Sequence, residues 1–271
     1  MSMKVAAPDG TVISVIVEGA GPPLMLVCGS GDDHTRYGRV APALGRTYTL
    51  YNVDRRGRGA STDAPGFTFA AEIVDLLAVI DAIHAEAGPI HMLAHSYGAL
   101  LGLEAAWRSD KLKSVLLYEP PMPYHERIDG IDPRMPLVLS LCDRLAQGDT
   151  DGMLTLYLRD FLGAGADAVE RQKANPKAWQ RWLSVARTIP RELLAVREYQ
   201  FTPQKFADFA LPLGVLVGTK SNPGMIRAAQ RIKAGIAQAQ LIELPGEGHS
   251  AMTSSPEMFA SAVLAFLNGV K

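Results

Sequence analysis

A single serine separates an apolar, strand-like run from an apolar, helix-like run. Within residues 90–102, Ala94–Gly98 reads AHSYG, the pattern G-x-S-x-G with alanine in the first small position. A serine on so tight a strand-to-helix turn is held in a strained backbone that directs its hydroxyl into a cleft. Backbone N–H groups at the helix start can stabilise an anion there. The spacing favours a nucleophilic Ser96, although a chance match at a strand–helix junction would give the same letters.

A histidine near the C-terminus is the candidate general base. His249 ends the run Pro245–His249 (PGEGH), which lies between the last predicted strand and the last predicted helix. Imidazole titrates near neutral pH, so a mobile loop histidine suits proton transfer. A surface histidine in a turn is the alternative. Among the other histidines, His95 is expected to pack behind the serine and His34 could reach a cleft. The remaining three carry no comparable signal: His84, His91 and His125.

Composition limits the class of protein. The chain has 271 residues, a formal net charge of −1 and 48% hydrophobic residues. This length fits one α/β domain with an insertion, and the hydrophobic share suffices for a core. A charge near zero gives no field that favours nucleic acid or an anionic membrane. The two cysteines, Cys28 and Cys142, indicate no disulfide framework.

Location and partners are also expectations from the sequence. Residues 1–5 lack the apolar stretch of a signal peptide, and no apolar run approaches the roughly 20 residues of a membrane span. We therefore expect a cytoplasmic protein that binds a small-molecule substrate, with no nucleic-acid or membrane partner. It would be a monomer or a homodimer.

Strand-like and helix-like runs alternate along the chain, which predicts a mostly parallel sheet with helices on both faces. The predicted strands are Lys4–Ala6, Thr11–Val17, Leu24–Cys28, Thr47–Val53, Ile90–Ala94, Leu112–Tyr118, Leu213–Gly218 and Leu241–Leu244. The predicted helices between them are Tyr37–Leu44, Glu72–Ala87, Tyr97–Ser109 and Ile226–Ala237. A last helix should begin at Ser255-Pro256, with serine as N-cap and proline in the first turn.

One stretch interrupts this alternation with helical patterns alone. Its predicted helices are Met135–Gln147, Gly152–Phe161, Ala178–Ala186 and Arg191–Tyr199. We expect residues 120–212 to form a helical cap domain over the strand tips, and residues 1–119 and 213–271 to form the core domain. The aromatic side chains of the insertion could line a pocket or pack the cap itself: Tyr157, Phe161, Trp179 and Trp182.

Four motifs together give the chain a family resemblance. The run around Ser96 is one, and residues 27–31 (VCGSG) take the place of a His-Gly oxyanion loop. Residues 54–61 (DRRGRGAS) resemble D-x-R-G-x-G-x-S, and residues 245–249 resemble the loop that carries a catalytic histidine. In this order and spacing they resemble the α/β-hydrolase superfamily. Residues 118–121 (YEPP) resemble a bacterial serine-hydrolase subgroup with that run after its sixth strand. The resemblance implies an eight-stranded α/β-hydrolase fold with a helical lid inserted after the sixth strand.

The triad acid departs from the usual family pattern. Most members place an aspartate just after the strand that corresponds to Leu213–Gly218, whereas this chain has Ser221 there. Serine can orient an imidazole but cannot stabilise imidazolium by charge, and replacing the acid by a neutral isostere costs about 10⁴-fold in a serine protease. Glu119, directly after Leu112–Tyr118, is the replacement that we favour. Alternatively, Glu119 could cap the end of the strand or pair with an arginine of the cap domain. Asp32 and Asp33 are secondary candidates for the acid.

The resemblance also implies the remaining chemistry. Backbone N–H groups of Ser30 and Tyr97 would form the oxyanion hole, with Cys28 in place of the usual histidine. The implied activity is a carboxylesterase-like serine hydrolase that cleaves an ester, lactone or amide of a small to medium hydrophobic substrate. The reaction would proceed through an acyl-serine, with no cofactor and no metal. A non-hydrolytic enzyme of the same fold (a lyase, cyclase or isomerase) or a catalytically impaired binding protein are the alternatives.

Overall fold

The computed structural model describes residues 1–122 and 133–270, and His125 lies outside them. The chain forms two compact units. The first contains Met1–Gly29, Asp33–Met122 and residues 200–270. The second contains Ser30–Asp32 and the described part of residues 123–199.

The first unit is built on one eight-stranded sheet in the order β1-β2-β4-β3-β5-β6-β7-β8. β1 and β2 pair antiparallel, β2 joins β4 antiparallel, and the remaining pairs are parallel. The predicted mostly parallel sheet is therefore confirmed. The strands are β1 (Ser2–Ala6), β2 (Val12–Gly19), β3 (Pro23–Val27), β4 (Thr49–Asp54), β5 (Ile90–His95), β6 (Leu112–Tyr118), β7 (Leu213–Gly218) and β8 (Ala239–Leu244).

Burial along the strands follows their place in the sheet. Every residue of β3, β5 and β7 is buried, as expected for parallel strands covered on both faces. Edge strand β1 exposes most of its residues. Because parallel strands end at the same edge of a sheet, the residues that follow β3, β5, β6 and β7 lie along one edge.

Helices fill the connections between these strands. Thr68 caps α2 through the N–H of Ala71 and Asn222 caps α9 through the N–H of Gly224. Ser255 occupies the predicted N-cap position of α11 and Pro256 its first turn, but the Ser255 hydroxyl donates to Glu247 rather than accepting a helix N–H. The helices are α1 (Ala41–Leu44), α2 (Phe69–Ala87), α3 (Tyr97–Trp107), α4 (Met135–Ala146), α5 (Thr150–Leu156), α6 (Ala166–Lys173), α7 (Pro176–Ala186), α8 (Ile189–Glu198), α9 (Pro223–Gly235), α10 (Ala251–Ser254) and α11 (Pro256–Gly269).

The second unit is helical and has its own hydrophobic core. Trp179 and Tyr157 are buried in it, and Trp182 and Phe161 pack against it half-buried. The indole N–H of Trp179 donates to Asp151 at 2.7 Å, which ties α7 to α5. These aromatic side chains therefore stabilise the helical unit itself.

In the described part of the chain, no helix has both the length and the hydropathy to cross a membrane. Cys28 is buried and Cys142 half-buried, and neither is in a disulfide.

Candidate active site

Ser96 occupies the sharp turn between β5 and α3. Its backbone has φ 54° and ψ −128°, a region that residues with a Cβ rarely adopt. The Ser96 N–H donates to the Tyr118 carbonyl at 2.8 Å, which fixes the turn to the end of β6. The side chain is partly exposed at the edge where the parallel strands end. The local sequence thus produces the strained, accessible serine that its spacing indicates.

Close packing around the turn explains its small residues. A Cβ on Gly98 would collide with the carbonyl of Cys28, and a Cβ on Gly29 would lie 2.8 Å from the Cβ of Ser96. The Cβ of Ala94 lies 2.9 Å from the Cβ position of Gly102. Position 98 must therefore be small because the β3 loop approaches it, and Ala94 packs against the first turns of α3.

Glu119 follows β6 and is fully buried. Its backbone also has a positive φ, 49°, and its N–H donates to the Leu216 carbonyl at 3.0 Å. Its Oε1 accepts the N–H of Gly218 at 2.8 Å and the hydroxyl of Ser221. The serine at the usual aspartate position therefore binds Glu119, rather than orienting the imidazole.

His249 lies between Glu119 and Ser96. Its Nδ1 is 2.6 Å from Glu119 Oε2, and its Nε2 is 3.1 Å from Ser96 Oγ. The carboxylate fixes the tautomer, since Nδ1 must carry the proton that is donated to it. The Nε2 lone pair then accepts the Ser96 hydroxyl. The structure thus brings the three predicted residues into one hydrogen-bonded series.

Two residues that sequence reasoning did not assign hold the backbone of the His249 loop. The hydroxyl of Tyr118 donates to the Gly248 carbonyl and accepts the N–H of Ala251 at 3.2 Å. His95 Nε2 donates to the His249 carbonyl at 3.0 Å. The available signal was their place in the sequence, because each precedes a predicted triad residue.

Burial fixes the protonation of this pair. It raises the pKa of the Tyr118 hydroxyl, which therefore remains a donor at working pH. Burial, with a smaller contribution from nearby His249, lowers the pKa of His95 well below its usual value. His95 is therefore neutral, and its ring stacks on Tyr118 with centroids 5.2 Å apart.

The other candidate side chains have structural partners. His34 Nδ1 lies 2.8 Å from the buried carboxylate of Asp54. Asp33 caps a short helical turn by accepting the N–H of Thr35 at 2.9 Å. Glu247, which was not a candidate from the sequence, accepts the hydroxyls of Ser254 and Ser255.

Two buried arginines bind the backbone of the loop that follows β3. Arg55 donates to the carbonyls of Cys28 (3.1 Å) and Gly29 (2.9 Å), and Arg58 donates to Gly29 at 3.1 Å. These bonds fix the backbone carbonyls at the start of the loop.

The two predicted oxyanion donors, the amides of Tyr97 and Ser30, belong to different units of the structure. Tyr97 is the first residue of α3, so its amide lies at the positive end of the helix dipole next to Ser96. Ser30 belongs to the second unit, and its place in an oxyanion hole stays a prediction.

Within residues 1–122 and 133–270, no group of three or more side chains is arranged to hold a metal ion.

The family is shown by comparison with known proteins. A model described as "Alpha/beta hydrolase family" matches residues 24–262, which include Ser96, Glu119 and His249. The chain therefore belongs to the alpha/beta hydrolase family.

Relatives in sequence are mostly named for hydrolytic reactions. The chain is 26% identical to putative carbamate hydrolase RutD of Caulobacter sp., over 96% of the chain and 98% of that protein. It is 32% identical to N-formylmaleamate deformylase of Pseudomonas putida, over 38% of the chain and 39% of the deformylase. It is 26% identical to polyketide synthase ThaQ of Burkholderia thailandensis, over 96% of the chain but 12% of the synthase. The chain thus matches well under two thirds of the length of the last two relatives.

Solved structures agree with the fold. An alpha/beta hydrolase from Sphaerobacter thermophilus matches 98% of this chain and 100% of its own, with a TM-score of 0.81 and 28% identity. The esterase RhEst1 from Rhodococcus matches 100% and 99%, with a TM-score of 0.76 and 20% identity, which bears on the fold alone. With the family match, the solved structures show the alpha/beta-hydrolase fold, and most of the named relatives are hydrolases.

Proposed function

We propose that this hydrolase acts through Ser96 as nucleophile, His249 as general base and Glu119 as the acid that orients the histidine. The observation that carries the proposal is the hydrogen-bonded series from Glu119 Oε2 to His249 Nδ1 and from His249 Nε2 to Ser96 Oγ. Series of this kind activate a serine in unrelated folds.

The proposed reaction has two halves. In the first, Ser96 Oγ attacks the substrate carbonyl while its proton passes to His249 Nε2. The buried carboxylate of Glu119 stabilises the imidazolium, and the amides of Tyr97 and Ser30 stabilise the oxyanion. The imidazolium then protonates the leaving group. In the second half, His249 takes a proton from water as the water oxygen attacks the acyl-serine carbonyl. When the bond to Ser96 Oγ then breaks, the imidazolium returns this proton to Oγ, which releases the acid and restores the Ser96 hydroxyl.

The proposed substrate is a small to medium hydrophobic ester, lactone or amide. The names of two relatives, a deformylase and a putative carbamate hydrolase, support including acyl C–N bonds among the candidates.

We also propose that residues 120–212 serve as a cap that selects the substrate. The hydrophobic core around Trp179 supports a separately packed helical unit within this range. The chain would act as a monomer or homodimer without a nucleic-acid or membrane partner. Cys28 and Cys142 are not in a disulfide, which suits the cytoplasm.

Hydrolysis of a series of p-nitrophenyl esters and anilides tests this function. We expect the wild type to hydrolyse a short-chain member, and Ser96→Ala to lower turnover at least about 10³-fold. Ser184→Ala, an exposed serine of α7, is the matched control and should keep wild-type turnover. Hydrolysis that persists in Ser96→Ala would contradict the proposed nucleophile. A folded wild type without turnover of any member would favour the non-hydrolytic or binding alternatives.

A further inference from the structure

The turn after β7 places a serine against the carboxylate of Glu119. Ser221 is 7% exposed, and its hydroxyl donates to Glu119 Oε1. The turn has little freedom to move away, because Ser221 N–H donates to the Gly218 carbonyl at 3.1 Å and Lys220 N–H donates to the Glu247 carbonyl at 2.8 Å. The serine hydroxyl is thus held at a fixed place beside the carboxylate.

The two oxygens of Glu119 have separate partners. Oε1 accepts from Ser221 and from the N–H of Gly218, and Oε2 lies 2.6 Å from His249 Nδ1. A glutamate side chain has several rotatable bonds, so one contact does not fix the plane of its carboxylate. Two donors on Oε1 do fix it, and Oε2 is then directed at the imidazole.

The absence of a side chain on Gly218 leaves room for the Ser221 hydroxyl at the end of β7. A Cβ on Gly218 would lie 2.8 Å from Ser221 Oγ and would collide with the Glu247 carbonyl. Gly218 therefore supplies its N–H to the carboxylate and leaves space for the serine. An aspartate at position 221 would place a second negative group against Glu119, which is unfavourable in a buried site.

We propose that Ser221 is a positioning residue for the triad acid, holding Glu119 Oε1 so that Oε2 orients His249. This inference rests on the proposed function, because it assigns a role toward the same triad. Ser221 does not touch the reacting atoms and acts through Glu119.

The test compares Ser221→Ala and Ser221→Thr with Glu119→Gln. Loss of a hydrogen bond to a charged group should lower kcat of Ser221→Ala about tenfold with KM unchanged. Ser221→Thr keeps a hydroxyl and should recover most of that loss. Ser140→Ala removes an exposed serine hydroxyl of α4 that binds the Pro136 carbonyl, and this control should keep wild-type kcat.

A spectroscopic readout separates positioning from general stability. The proton between His249 Nδ1 and Glu119 should give a far-downfield resonance in the wild type, a moved resonance in Ser221→Ala, and none in Glu119→Gln. Wild-type kcat and an unmoved resonance in Ser221→Ala, with Glu119→Gln impaired, would overturn the role of Ser221 and leave the triad intact. Wild-type kcat in Glu119→Gln would instead overturn the triad acid. If Ser221→Ala fails to fold, the same comparison is made with Ser221→Cys, whose thiol is a weak donor.

Discussion

At the scale of single residues, backbone strain coincides with the proposed chemistry. Among the described residues, Ser96 and Glu119 are the non-glycine residues with positive φ. Such conformations cost about 1–3 kcal/mol each and persist where the surroundings over-determine them. Here the backbone N–H of Ser96 binds Tyr118 and that of Glu119 binds Leu216, so neighbouring strands hold both strained residues.

Shortening the side chain of Glu119 tests whether activity depends on the distance from its carboxylate to His249 Nδ1. Glu119→Asp should move the carboxylate about 1 Å or more from His249 Nδ1, and such a misplacement can cost about 10²-fold in kcat. Turnover of the best p-nitrophenyl ester measures the effect. Glu243→Asp, on edge strand β8, is the matched control and should leave kcat unchanged. Wild-type kcat in Glu119→Asp would show that the carboxylate need not contact the imidazole.

At the scale of elements, the ends of two strands supply two members of the proposed triad and the side chains that hold the loop of the third, His249. The end of β5 gives His95 and Ser96, and the end of β6 gives Tyr118 and Glu119. His95 and Tyr118 bind the backbone of the His249 loop, while Ser96 and Glu119 bind its ring. The sheet therefore holds the histidine by main chain and side chain together.

Removing the Tyr118 hydroxyl should loosen this loop. In Tyr118→Phe the Gly248 carbonyl and Ala251 N–H lose their shared partner, so we expect kcat to fall about tenfold and stability to fall by about 1–3 kcal/mol. Ester turnover and urea unfolding measure the two effects. Tyr48→Phe, another buried tyrosine outside the site, is the control for lost hydroxyl and core packing. Unchanged kcat in Tyr118→Phe, with Tyr48→Phe also active, would show that other contacts hold the His249 loop in place.

The sequence predicted the sheet because hydrophobic runs and turn residues are local signals. It also indicated Ser96 and Glu119 from their places after two strands. It missed α6, which buries only Val169 and so has a weak apolar pattern. It also missed the partners of Ser221 and Ser255, because each hydroxyl binds a carboxylate whose position depends on how the loops fold. Whether a serine hydroxyl binds the start of its own helix or a carboxylate elsewhere depends on the tertiary structure.

At the scale of the whole molecule, buried histidines should make the stability of the fold depend on pH. Burial lowers the pKa of His91 to about 4 from its ordinary value of 6.5. His91 is 4% exposed, and its Nδ1 lies 2.7 Å from Ser114 Oγ. Between these pH values the unfolded chain binds more protons than the folded chain, so the free energy of unfolding falls as pH falls.

We expect the His91 contribution to reach about 3 kcal/mol as pH drops from 6.5 to 4. Urea unfolding of the wild type and His91→Gln across this range measures it. The wild type should lose more stability on acidification than the variant, because glutamine does not titrate. His95, also buried, remains in both proteins, so the difference between them isolates His91. Equal losses in the two proteins would contradict the assignment.

Activation of Ser96 by His249 underlies the whole proposed reaction. Intact mass after incubation with a fluorophosphonate tests it most directly, using the wild type, Ser96→Ala and His249→Gln. We expect one adduct on the wild type, none on Ser96→Ala and much slower labelling of His249→Gln. A folded wild type that takes up no adduct, or an adduct that persists in Ser96→Ala, would contradict it.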